Sequence, residues 1–158
     1  MRAAAFLLLA TTILAADKYT GPRPPKPDIP YLLHANKLVE TEVGEAREQQ
    51  AKNGVTFSIS GASSPAKTPM AEPIFIMEAD KLNCNAFELY KLDVKGGNRE
   101  ITMANQQKRR SSGPRPLKLS IQKLEGRLYR IEAAEGLEPG QYSLSPSDSN
   151  KAFCFEVF

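Results

Sequence analysis

The chain has 158 residues, 21 Lys and Arg against 18 Asp and Glu, a single His, two Cys and no Trp. That length suits one domain able to bury a core of its own. One histidine excludes a multi-histidine metal site, and the lack of Trp argues against a dedicated aromatic platform for sugars.

Arg2, the apolar run Ala3 to Leu14 interrupted by Thr11 and Thr12, and the small pair Ala15-Ala16 before Asp17-Lys18 have the three-part pattern of a secretory signal. The expected signal peptide is 1–16, with cleavage after Ala15 fitting about as well. A run this short falls below the ~20 residues of a membrane-spanning helix, and no later stretch is comparably apolar. The mature chain is therefore expected to carry no transmembrane segment and to be periplasmic or extracellular; an uncleaved N-terminal anchor is the alternative. Once Arg2 leaves with residues 1–16, 142 residues carry 20 Lys and Arg against 18 acidic groups, which is nearly neutral.

Residues 17–30 hold five prolines, at 22, 24, 25, 27 and 30. Such density enforces extended backbone and predicts a semi-rigid, proline-rich linker ahead of a single domain at 31–158. Tyr31 to Val39 then reads as a first strand. Thr41 to Lys52 admits two structures. One is a short helix capped by Thr41 with Glu42 and Glu45 at its positive end; the other is a polar hairpin turning at Asn53-Gly54. The helix is the preferred reading.

From Gly54 the chain predicts short strands at 55–60, 73–79, 86–94, 99–104, 117–123, 127–133, 141–145 and 152–158. Val55/Phe57/Ile59, Leu117/Leu119/Ile121, Tyr129/Ile131/Ala133 and Phe153/Phe155/Val157 each alternate, placing apolar groups on one face. Gly96-Gly97-Asn98, Glu125-Gly126 and Pro139-Gly140 supply turn chemistry between them. The expected fold is all-β: an immunoglobulin-like antiparallel β-sandwich of about seven or eight strands, with the 41–52 helix as its one short helix. An open sheet packed by that helix is the fallback topology. The expected core is Phe57, Ile59, Phe75, Leu89, Leu119, Ile121, Tyr129, Ile131, Tyr142, Leu144, Phe153 and Phe155. Cys84 and Cys154 lie 70 positions apart and leave two readings, a disulfide of an oxidising compartment or two separate thiols.

The stretch Leu137 to Leu144 (LEPGQYSL) followed by Phe153 to Phe158, with PYLLHANKL at 30–38 and GASSPAKTP at 61–69, resembles uncharacterised exported bacterial β-domain proteins. The resemblance spans most of the mature chain. It implies export and a β fold, and it brings no activity and no site residues.

Patterns for chemistry are thin. His34 reads as structural or solvated, and Glu156 beside Cys154 would raise a thiol pKa and weaken it as a nucleophile. Ser64-Pro65-Ala66-Lys67 matches Ser-x-x-Lys, but Pro69 stands where that pattern wants glycine, and Ser120 to Lys123 matches again inside a strand. The segment Gly61 to Pro73 reads more naturally as a loop. No catalytic residue, no metal ligand set and no cofactor is expected. A membrane barrel is disfavoured by short strands and by Glu156, which breaks the alternation counted back from Phe158.

The most distinctive charged feature is the run Gln107 to Pro116, with Lys108, Arg109, Arg110 and Arg115 as candidate binding residues. Its bland reading is a solvated loop that guards a sheet edge. With export removing nucleic acid as a partner, an envelope protein or an anionic glycan is expected. The functional expectation is an exported, non-enzymatic binding or accessory module of the bacterial cell envelope. A hydrolytic enzyme with a loop-built site and a purely structural envelope component are the rivals.

Overall fold

The computed structural model describes residues 18–52, 54–104 and 113–158. The expected signal peptide at 1–16 and the candidates Lys108, Arg109 and Arg110 lie outside these residues. Thirteen strands are present among the described residues: β1 (Tyr31–His34), β2 (Lys37–Glu40), β3 (Glu42–Glu45), β4 (Arg47–Ala51), β5 (Gly54–Ser60), β6 (Lys67–Thr68), β7 (Ile74–Glu78), β8 (Phe87–Lys95), β9 (Asn98–Ala104), β10 (Leu119–Glu125), β11 (Leu128–Ala133), β12 (Gly140–Pro146) and β13 (Lys151–Val157). All eight strands expected from Gly54 onward are there within two residues, as β5 and β7 to β13. The expected first strand is instead a hairpin, β1 and β2, because Ala35 and Asn36 take φ of 45° and 59° and close a two-residue turn between paired His34 and Lys37.

The 41–52 helix does not form; this segment is β3 and β4. Thr41 is buried and its hydroxyl donates to the Pro30 carbonyl, so it caps no helix. Instead β3 pairs with the distant β13 and β4 forms a local hairpin with β5, and these ladders override a Glu/Gln-rich composition that only weakly favours helix. The hairpin alternative describes the β4–β5 pair, in which Ala51 faces Gly54. Gly54 is required there by close approach, since a Cβ would run into the Met103 carbonyl oxygen.

The strands form two sheets. A five-stranded sheet has the order β10-β11-β7-β1-β2, and a larger one has the order β3-β13-β12-β8-β9-β5-β4, with β6 parallel to the end of β13. The two ends of the larger path, β3 and β4, are separated in the chain by Ala46 alone, whose N–H donates to the Asn150 carbonyl. The larger sheet thus closes on itself as a ring of six antiparallel strands, with β3 and β4 acting as one long bent strand. The all-β antiparallel class and the packing of two sheets are as expected. The finer immunoglobulin-like arrangement is not confirmed by a thirteen-strand order in which one sheet closes through β3 and β4.

Both faces of β12 and β13 are covered, so these strands are buried almost without interruption. Their outer residues Tyr142, Leu144, Phe153, Phe155 and Val157 meet Leu32, Phe75, Met77, Ile131 and Ala133 of the smaller sheet in the main core. Phe75 crosses to Phe155 edge-on with ring centres 5.0 Å apart, and Tyr142 stacks on the same ring at 5.5 Å. Their inner residues, including Ala152 and Cys154, join Ile59 and Leu92 in a second cluster inside the closed sheet. Of the expected core, Phe57, Leu119, Ile121 and Tyr129 are only half-buried; the other eight are buried.

The proline-rich stretch, expected to be a spacer, is docked on the smaller sheet through the described residues 18–30. The Asp28 carboxylate accepts the N–H groups of Asp80, Lys81 and Leu82, and the Asp28 N–H donates to the Glu78 carbonyl. Pro24 and Pro30 are buried, and Ile29 packs against the main core. Prolines lack the N–H that a sheet ladder needs, but side-chain and apolar contacts hold the segment without one. Among the described residues no helix is long and apolar enough to cross a membrane.

Candidate functional site

Alternation along six strands decides what points into the closed sheet. Register pairs Ile59 with Arg99, Phe57 with Ile101 and Val55 with Met103 across β5 and β9. It pairs Leu92 with Gln141, Tyr90 with Ser143 and Glu88 with Ser145 across β8 and β12. Directly opposed residues share a face, so these side chains form layers from one end of the barrel to the other.

One end is closed. Arg99 is 1% exposed, and its guanidinium donates to both Glu42 oxygens at 2.6 and 2.8 Å and to the Ser60 and Gly61 carbonyls at 2.8 and 2.9 Å. The loop after β5 seals this end: Ser64 is buried, its hydroxyl donates to the Cys154 carbonyl, and its N–H donates to the Gln141 side-chain oxygen. Burial would raise the Glu42 pKa, but the two hydrogen bonds and the charge of Arg99 hold it below the usual carboxylate range. Burial pushes the Cys154 thiol up to about 11, partly opposed by Arg99. The expected influence of Glu156 on that thiol is replaced by burial, because the Glu156 carboxylate turns to the Ser63 hydroxyl at 2.5 Å, Gln141 at 2.8 Å and Lys67 at 3.0 Å. Those three donors lower its own pKa to about 2.

The other end is a cup of about 950 Å³. Val55, Phe57, Ile101 and Met103 of β5 and β9 make one wall, and Glu88, Tyr90, Ser143 and Ser145 of β8 and β12 make the facing one. Ile59, Leu92 and Ala152 form the floor, and the exposed turn Ser147 to Asn150 the rim. On the polar wall the Tyr90 hydroxyl donates to Glu88 Oε2 at 2.8 Å, and the Ser143 and Ser145 hydroxyls share a hydrogen bond at 2.7 Å. Burial, then the Glu88 carboxylate, pushes the Tyr90 pKa well above its ordinary value.

Of the described site candidates, Arg115, His34, Ser64, Lys67, Cys84 and Cys154 do not line this cup. Arg115 is exposed and lies two residues beyond Gly113, where a Cβ would stand 3.3 Å from the Cβ of Ala104. Ala104 itself lines the cup, so the described chain stops and resumes beside the mouth. His34 is exposed at the end of β1 in the other sheet. Lys67 pairs with Glu156 while the Ser64 hydroxyl bonds to the Cys154 carbonyl, so the Ser-x-x-Lys residues form no catalytic pair. Cys84 and Cys154 are both free and buried, one in the main core and one inside the barrel, with the sheet between them. Among the described residues no group of three or more His, Cys, Asp or Glu is placed to hold a metal ion.

Sequence reasoning missed Glu88, Tyr90, Ser143 and Ser145, although a signal was present. Each alternates with a core residue, Glu88 and Tyr90 with Phe87 and Leu89, Ser143 and Ser145 with Tyr142 and Leu144. What the alternation could not say is that this second face encloses space. Comparison with family models, with curated proteins and with solved structures returned no match.

Proposed function

We propose that this chain is a non-enzymatic binding module of the bacterial cell envelope and that its ligand site is the barrel cup. The observation that carries this reading is a sheet closed on itself, sealed at one end by Arg99 and Glu42 and open at the other on a cup of about 950 Å³. Such a volume suits a small molecule, and walls that combine apolar surface with a few placed polar groups are how such sites gain affinity and orientation. The Ser143 and Ser145 hydroxyls on the cup wall bond to each other, and among the described residues no histidine lines the cup to act as base.

Equilibrating the purified mature chain with an envelope extract, followed by native mass spectrometry, tests the proposal. A bound small molecule is expected on the wild type and not on Ser145→Trp, whose indole fills the cup from its wall. No bound mass, or equal retention by the variant, overturns it. A variant with Lys108, Arg109, Arg110 and Arg115 all changed to Ser examines the other partner class, an envelope protein or an anionic glycan held by the basic run. Loss of such a partner with the cup ligand retained would assign that run a separate role. Export is tested by the mass of the secreted chain, which should lack residues 1–16.

A further inference from the structure

The two walls of the cup differ in chemistry, and the difference specifies a ligand. The β5 and β9 wall offers only carbon and sulfur atoms from Val55, Phe57, Ile101 and Met103, so it rewards an apolar chain or ring. The opposite wall is rich in acceptors. Glu88 Oε2 accepts the hydrogen bond of the Tyr90 hydroxyl, while among the described residues Glu88 Oε1 has no protein donor and Glu88 joins no salt bridge. The Tyr90 oxygen keeps lone pairs after donating, and Ser143 and Ser145 use one hydroxyl proton between them. A half-buried carboxylate with an oxygen open to the cup gains most from a charged donor. Among the described residues around the mouth, Glu45 and Asp148 add acidic groups against Lys151.

We infer that the cup takes an amphiphile with an apolar chain and a protonated amine, the chain lying on Phe57, Ile101 and Met103 and the ammonium seated on Glu88. This rests on the reading of the cup as the ligand site. The ammonium donates to Glu88 Oε1 and to the Tyr90 oxygen, leaving the Tyr90 to Glu88 hydrogen bond in place. A carboxylate at the same position would face Glu88 and be repelled.

The test is calorimetric titration of the mature chain at pH 7 with dodecylamine, dodecanol and dodecanoic acid, each below its micelle concentration. Dodecylamine should bind tightest, by roughly tenfold or more over dodecanoic acid, as a charge-assisted hydrogen bond to a half-buried carboxylate implies. Glu88→Gln keeps the shape and an acceptor for Tyr90; it should remove the preference for the amine over dodecanol and dodecanoic acid. Ser145→Trp should abolish binding of all three. Equal binding of the three compounds, preference for the acid, or an amine preference that survives Glu88→Gln overturns the amine inference and leaves the cup reading standing. Failure of all three to bind the wild type, or binding undiminished by Ser145→Trp, overturns the cup reading itself.

Discussion

The two ends of the barrel are built from the same strands and reach opposite outcomes. At the closed end, polar groups saturate one another: Arg99 has four hydrogen bonds to Glu42, Ser60 and Gly61, and Ser64 bonds to Cys154 and Gln141. At the open end, Glu88, Tyr90, Ser143 and Ser145 bond only within pairs along their own strands and leave acceptors directed at space. A buried polar group without a partner is costly, so polar residues inside a barrel either complete a network or stay where water or a ligand can reach them. The closed end is a stability element, and the open end is the one proposed for recognition. That contrast predicts how each responds to mutation.

The largest effect belongs to the closed end. Arg99→Ala strands the Glu42 carboxylate against a buried loop and should lower stability by about 3 kcal/mol or more, read as a fall in urea midpoint. Tyr90→Phe at the open end is expected to cost less than about 1 kcal/mol, since Glu88 can rehydrate through the mouth. Comparable losses would erase the distinction between the ends. Ser64→Ala comes next, at about 1–3 kcal/mol, because it removes a buried hydroxyl that donates to the Cys154 carbonyl and accepts from the Ala66 N–H.

Acid sharpens the same contrast. Glu156, with its pKa lowered to about 2 from an ordinary 4.5, favours the folded state when ionised. Its contribution is complete above pH 4.5 and fades as pH falls towards 2. The stability difference between wild type and Glu156→Gln should therefore shrink over that window in denaturant titrations run at successive pH values; a constant difference would remove Glu156 from the seal. Both thiols are buried with pKa values raised to about 11, so a thiol reagent at pH 8 should find none in the native protein and two after denaturation. The smallest expected effect on stability is that of Ser145→Trp, whose side chain enters existing space. It should leave Tm nearly unchanged while blocking the ligand.

Much of the fold was legible because short-range rules govern it. Period-two alternation and Gly-, Pro- and Asn-bearing turns located β5 and β7 to β13, since a strand with one buried face needs that pattern whatever its partners are. The 41–52 segment was misread because Thr41, Glu42 and Glu45 satisfy local helix-start rules. One partner, Phe153 and Cys154 of β13, lies far along the chain where no local rule reaches, while the other, Val55 and Phe57, is the neighbouring hairpin strand that the alternative reading named. The spacer was misread for a similar reason, as proline density forbids a ladder but says nothing of an Asp28 side chain meeting the N–H groups of residues 80 to 82.

By itself, then, the sequence determined strand class, most strand positions, the turns and which residues share a face, because those properties depend on neighbours one to four positions apart. Only the tertiary structure decided which of two faces encloses a core and which a cup. That choice depends on closure through Ala46, where one bent strand pairs with β13 before it and β5 after it. Closure brings Glu42 to Arg99, 57 positions away, and sets Phe57 and Ile101 across from Tyr90 and Ser143. Such pairings arise from ladder registers between distant segments, and alternation within any one strand is blind to them.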